Sequence, residues 1–254
     1  MFRPRVIPCL LLKNLGLVKS VKFKEYRYIG DPINAVKIFN DKKADELVFL
    51  DITASGEKRN VSLKLIKDIG DECNMPFSVG GGIRTIENIK ETLNAGAEKI
   101  CINSHAFENP EFIRKASETF GSSTIVVSID VKKNIFGKQN VYIYSGTKNT
   151  RTDAVTHAKN MEMFGAGEII INSIDNDGTM NGYDIELIKK VSDAVSIPVI
   201  ALGGAGKIED FRKAVDEGNA SAVAAGSFFV YHGPRRAVLI SFPKNEELVE
   251  IFKN

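Results

Sequence analysis

Gly80-Gly81-Gly82 and Gly203-Gly204-Ala205-Gly206 each follow a short apolar run, Pro76–Val79 and Pro198–Leu202. Glycine at such a place lets main-chain N–H groups approach an anion with no Cβ in the way. The next apolar run of each pair ends in Asn103-Ser104 and in Ala225-Gly226-Ser227, both leading towards helix N-termini, where phosphate is favoured. The pattern reads as two phosphate cradles. One uses Gly81, Gly82, Asn103 and Ser104; the other uses Gly203, Gly204, Ala225, Gly226 and Ser227. Asp177 and Gly178, in Asp177-Gly178-Thr179, are expected to add to the second cradle through further N–H groups. A ligand with a phosphate at each end would span both. A tight strand-to-helix turn explains one such glycine run; two at matched positions weigh against that reading.

The third chemical feature is Asp130 in Val127-Ser128-Ile129-Asp130-Val131-Lys132, a carboxylate at the end of an apolar strand. Pro8-Cys9-Leu10-Leu11-Leu12-Lys13 aligns with it on the lysine and sets Leu11 opposite Asp130.

The elements that must position these groups come as a repeat. Met75-Pro76-Phe77 meets Ile197-Pro198-Val199 at an offset of 122, and Ile86-Glu87-Asn88 meets Ile208-Glu209-Asp210. Such a repeat means two copies of a half-structure that cannot bury its core alone. Eight β-branched runs alternate with amphipathic stretches: Arg5–Leu12, Glu46–Ile52, Pro76–Val79, Lys99–Asn103, Thr124–Val131, Glu168–Asn172, Pro198–Leu202 and Ser221–Ala225. Near-continuous apolar runs suit parallel strands buried on both faces. Asp31-Pro32, Asn94-Ala95-Gly96 and Asn109-Pro110 are helix start and stop signals. The expected architecture is a (β/α)8 TIM barrel, one domain over 1–254 with half-barrels at about 1–121 and 122–254. An open doubly wound sheet is the alternative and does not explain the repeat. In a barrel, chemistry belongs at the C-terminal ends of the strands.

Composition narrows the partners. The net charge is +2, which argues against nucleic acid or an anionic membrane as the main partner. The N-terminal Met1–Arg5 lacks a signal-peptide layout, and no apolar run approaches a membrane span, so a cytoplasmic protein is expected. Cys9, Cys73 and Cys101 read as reduced and without a chemical role. His105, His157 and His232 are scattered, so neither a metal nor another cofactor is expected.

With Phe49-Leu50-Asp51-Ile52-Thr53-Ala54-Ser55, the Gly80–Gly82 run, Ser173-Ile174-Asp175-Asn176-Asp177-Gly178-Thr179 and Gly203-Gly204-Ala205-Gly206-Lys207, the sequence closely resembles the cyclase subunit of imidazole glycerol phosphate synthase over residues 1 to about 230. The resemblance implies a half-repeat TIM barrel that docks a glutaminase subunit at its N-terminal face. Ammonia released there crosses the barrel interior and attacks a bisphosphorylated ribulosyl substrate. Imidazole glycerol phosphate and an aminoimidazole carboxamide ribotide result, by acid–base work of two aspartates. Asp130 matches one; Leu11 stands where the other is called for. Asn172 and Leu202 occupy sites where the family usually carries small hydroxyl residues. Arg5, Glu46, Lys99 and Glu168 match the charged ring that gates the family's ammonia passage. Glu98 falls at an acidic contact to the glutaminase, and Lys19, in the loop after the first strand, matches a lysine of the mobile active-site loop.

This pattern, with the tail Phe229–Ile240, also resembles cyclase paralogues of surface-polysaccharide gene clusters. Those accompany a glutaminase and a third amidotransferase protein that makes acetamidino sugars. The leading expectation is an ammonia-channelling barrel that is not a competent cyclase, because leucine can neither accept nor donate a proton. The alternative is a working cyclase of histidine biosynthesis in which Asp51 or Asp177 covers for the lost group. A third possibility is a non-catalytic scaffold that keeps the phosphate sites as a sensor.

Overall fold

β-branched runs of four to nine residues flanked by turn residues are too short for helices and too apolar for a one-sided sheet. In the computed structural model, which describes residues 3–134 and 137–253, they form strands around a closed axis. Met1 and Phe2 of the N-terminal stretch lie outside the described residues, as do Ile135, Phe136 and Asn254.

The first half contains β1 (Arg5–Lys13), β2 (Gly16–Val21), β3 (Lys24–Gly30), α1 (Pro32–Asp41), β4 (Leu47–Asp51), α2 (Leu63–Glu72), β5 (Phe77–Gly80), α3 (Ile86–Asn94), β6 (Lys99–Ile102), α4 (Ser104–Glu108) and α5 (Pro110–Phe120). The second contains β7 (Ile125–Lys133), β8 (Gln139–Ile143), β9 (Lys148–Asp153), α6 (Ala154–Met163), β10 (Glu168–Ser173), α7 (Ile185–Ser192), β11 (Val199–Leu202), α8 (Ile208–Asp216) and β12 (Ala222–Ala225). Strands β1, β4, β5, β6, β7, β10, β11 and β12 pair in parallel in that order. β12 pairs back onto β1, Ile7 opposite Ala224, and the barrel closes. This is the (β/α)8 TIM barrel that the repeat predicts.

Alternation along the strands divides the core in two. Ile7, Val48, Val126, Ile170, Ile200 and Ala222 fill the barrel interior. Val6, Leu10, Phe49, Phe77, Ile169 and Val223 face the surrounding helices. Helix caps follow the repeat as well. Asp31 caps α1 through the Asn34 N–H at 3.0 Å, and Asp153 caps α6 through the Thr156 N–H at 3.1 Å.

Two hairpins were not anticipated. After β1 the chain doubles back through β2 and β3, and after β7 it does so through β8 and β9. Their tips, Lys22-Phe23 and Tyr144-Ser145, all have φ between 53° and 62°. The tail forms a short hairpin of β13 (Tyr231–His232) and β14 (Ala237–Val238), then α9 (Asn245–Ile251). Phe242 stacks on Phe229 at 5.3 Å and fastens the tail to the barrel wall. No described helix is long and apolar enough to cross a membrane.

Candidate active site at the barrel mouth and the ion-pair ring beneath it

The C-terminal strand ends and the two hairpins enclose one cavity. Leu11, Lys19, Gly81, Gly82, Asn103, Ser104, Asp130, Asn172, Asp177, Leu202, Gly226 and Ser227 all line it. It thus brings together residues of both expected cradles. Gly178, Gly203, Gly204 and Ala225 do not reach its wall.

Asp130 is buried between two amides. Asn103 Nδ2 donates to its Oδ2 at 3.0 Å and Asn172 Nδ2 to its Oδ1 at 3.0 Å. Burial pushes its pKa up to about 7, against the pull of those donors. The carboxyl is therefore poised to give or take a proton near neutral pH. The carbonyl oxygen of the Asn172 side chain is buried with no hydrogen-bond partner and lies against Gly203.

Leu11 is the structural equivalent of Asp130. The hairpin ladder starts at Leu11 opposite Val18 in the first half and at Asp130 opposite Tyr142 in the second. In the parallel direction Leu11 faces Leu50, where Asp130 faces Asn172. Leu11, Leu50 and Leu202 give that side of the mouth an apolar floor. Asp51, also on the cavity wall, is engaged within its own loop: Arg59 Nη1 holds it at 2.7 Å and the Thr53 and Ala54 amides cap it.

The lysine expected in a loop lies on a strand instead. Lys19 belongs to β2, is 4% exposed, and sends Nζ to the Cys9 carbonyl at 2.6 Å. The antiparallel ladder on β1 carries it inward, and a Cβ on Gly226 would stand 2.3 Å from Nζ. The ammonium therefore sits directly in the second cradle. Burial lowers its pKa, offset partly by Asp177. Asp177 itself is pushed up to about 6 by burial. Of the N–H groups expected there, those of Asp177 and Thr179 donate to Ser173 and Asn176 within their own loop. Ser104 and Ser227 open helices of only five and three residues, so helix dipoles add little.

Sequence reasoning missed Phe23, Ser55, Arg84, His105 and Ser145 on the cavity wall. Phe23 lies beside no turn signal, whereas Ser145-Gly146 is one, and His105 reads only as one of three scattered histidines. Among the described residues no group of three His, Cys, Asp or Glu side chains is placed to hold a metal. Burial raises the Cys9 thiol to about 12, so it is inert at neutral pH.

At the opposite end Arg5, Glu46, Lys99 and Glu168 converge. Arg5 bridges Glu46 and Glu168, and Lys99 Nζ lies 3.3 Å from Glu46 and 3.0 Å from Glu168. Ser78 Oγ donates to the remaining Glu46 oxygen at 3.0 Å. Both glutamates are buried, and both cations reach partly to the surface. The apolar interior lies between this ring and the mouth. Glu98, beside Lys99, is exposed at the same end.

The family model for histidine biosynthesis proteins matches residues 5–234. A Pseudomonas aeruginosa protein, provisionally named imidazole glycerol phosphate synthase subunit hisF2, is 47% identical over 98% of this chain and 99% of its own length. The imidazole glycerol phosphate synthase subunit HisF of Endomicrobium trichonymphae is 50% identical over 89% of this chain and 87% of its own. That of Alkaliphilus metalliredigens is 44% identical over 91% and 92%. With the closed eight-strand barrel and this coverage, the chain belongs to the histidine biosynthesis protein family, as a barrel of the imidazole glycerol phosphate synthase HisF type.

Proposed function

We propose that the chain is the barrel subunit of a glutamine-dependent assembly of the imidazole glycerol phosphate synthase type. A glutaminase docks at the Glu98 end, ammonia passes the Arg5–Glu46–Lys99–Glu168 ring, and a ligand with two phosphates lies across the mouth. The observation that carries this reading is the single cavity that joins Gly82 and Ser104 to Gly226 and Ser227, with Asp130 between them and the ring on the same axis. Neutral ammonia suits the apolar interior, whose side chains carry no charge to pair with an ammonium ion. Asp130, near neutral in its pKa, exchanges the proton that a nitrogen nucleophile sheds on attack.

Ring closure divides two finer readings. The relatives' names favour a cyclase that serves histidine biosynthesis, and Asp177 gives the mouth a second carboxyl with a raised pKa. Leu11 favours a barrel that passes ammonia to another acceptor, such as a sugar acetamidino group for surface polysaccharide, with a third amidotransferase protein as partner. The comparisons weigh towards the first of these.

Ammonia-dependent ring closure by the purified chain, followed as release of imidazole glycerol phosphate, tests this directly. Turnover that Asp177→Asn abolishes supports the cyclase. Stimulation of a glutaminase with no imidazole product supports the second reading. A chain that neither binds nor stimulates a glutaminase sinks both, and leaves the scaffold.

A further inference from the structure

Arg84 lines the mouth with Ser55, Gly82, Ser104 and His105, and no role described above uses it. Ser55 ties it to the first cradle. The Ser55 hydroxyl accepts from the Gly82 N–H at 3.3 Å, and its carbonyl accepts from Arg84 Nη2 at 3.3 Å. The guanidinium and the cradle amide are thus one residue's width apart. The Ser104 hydroxyl, which accepts from the Tyr144 N–H at 2.9 Å, completes the corner.

Arg84 is half-buried, and among the described residues no carboxylate lies within ion-pairing distance of it. A guanidinium carries five N–H donors; the Ser55 carbonyl takes one and the Tyr144 hydroxyl another, which leaves donors over for a ligand. The nearby Glu108 carboxylate accepts from the Tyr144 hydroxyl at 2.5 Å. His105 is hydrogen-bonded to the Arg84 main chain, and its pKa is lowered by burial and then by the Arg84 charge. The lasting positive charge at this corner is therefore that of Arg84.

The other half has no counterpart. Gly206 takes the equivalent position, and the Asp210 carboxylate caps its amide at 2.9 Å. The second cradle draws its cation from Lys19 on the hairpin.

We infer that Arg84 is the phosphate-binding guanidinium of the first cradle, acting on a terminal phosphomonoester with Ser104 and with the Gly82 amide, which exchanges its long 3.3 Å bond to Ser55 for the phosphate. Arginine suits this task because its planar fork meets two phosphate oxygens at once. The inference rests on the two-phosphate reading of the mouth.

Titration of the 15N-labelled full chain with inorganic phosphate tests it, with the amide signals of Gly82 and Ser104 reporting the first cradle and those of Gly226 and Ser227 the second. In Arg84→Gln the apparent phosphate affinity at the first pair falls about tenfold or more, as loss of a charged hydrogen bond predicts, and the second pair is unchanged. Arg84→Lys, which keeps the charge and loses the fork, falls between wild type and Arg84→Gln. Unchanged affinity at Gly82 and Ser104 in a folded Arg84→Gln overturns the inference and spares the two-phosphate reading. Wild type that shifts at neither pair overturns that reading and the inference with it.

Discussion

On the rim, Leu11 packs beside Leu50 while Asp130 accepts from Asn172, in the same register of the two halves. A general acid–base group contributes about 10²–10⁴-fold, so a carboxylate restored at position 11 has a large effect only where the rest of the mouth is competent. Leu11→Asp is expected to raise ammonia-dependent ring closure at least about 100-fold, measured against Leu11→Asn, which supplies polarity without an acid. If both variants match wild type, the leucine is not the limiting difference. His157 is a residue of another kind, buried against Phe107 with its pKa lowered to about 4 by burial. Unfolding lets it return to its ordinary value near 6.5, so between these values the unfolded chain binds the extra proton and acidification favours unfolding. From pH 7 to pH 4 the stability difference between wild type and His157→Leu should shift by about 3 kcal/mol in favour of the variant, read from urea midpoints. The raised carboxyls of Asp130 and Asp177 carry the opposite sign in both proteins and cancel in that difference.

The hairpins are the elements that turn a generic barrel mouth into a closed one. Phe23, at the tip of β2–β3, packs so tightly on Gly146 of β8–β9 that a Cβ there would lie 2.9 Å from its ring. The Lys22 amide donates to the Asp177 carbonyl at 2.9 Å, and Ser145 Oγ donates to the Ile52 carbonyl at 2.6 Å. Four tip residues in left-handed geometry without glycine or asparagine cost about 1 kcal/mol each, so these contacts have to hold the tips in place. Phe23→Ala should free β2–β3: amide exchange across Gly16–Gly30 should speed up about tenfold while protection of the barrel strands stays constant. Equal exchange in both proteins would mean that the Lys22–Asp177 bond suffices. The same geometry explains what could be read beforehand. The eight strands were legible because Pro198–Leu202 and its counterparts are apolar on both faces. The hairpins were less so: Lys22-Phe23 carries no turn signature, and Ser145-Gly146 marks a turn without showing that the chain doubles back onto β7. Lys19 was consequently assigned to a loop, although its type at that position was informative. Arg84 gave no signal at all, since its role depends on Ser55, a neighbour nearly 30 positions away.

For the molecule as a whole the ring at the strand starts has two consequences. Its members come from β1, β6 and β10 and from the residue before β4, so it clasps the two halves at the end away from the hairpins. On the proposed reading it also stands across the barrel axis, between the Glu98 end and Asp130. Loss of Arg5 leaves two buried glutamates to share Lys99, and removing one partner from such a network costs about 3–5 kcal/mol; exposure of the arginine brings the expectation for Arg5→Ala to the low end. Because the members share partners, adding Glu168→Gln removes a charge that Arg5→Ala had stranded, and the double variant should be about 1–2 kcal/mol more stable than the sum of the two single losses. Additive losses would mean that the ion pairs of the ring act independently of one another. Lys99→Met keeps Arg5 bridging both glutamates and so preserves the clasp, while it removes the charge that faces the axis. In the reconstituted complex, product nitrogen from labelled glutamine should fall about tenfold relative to nitrogen from bulk ammonia, a change of about 1.4 kcal/mol in the barrier to passage. Bulk ammonia reaches the mouth directly, so an equal fall from both sources would instead assign Lys99 to the stability of the barrel and detach the ring from transport.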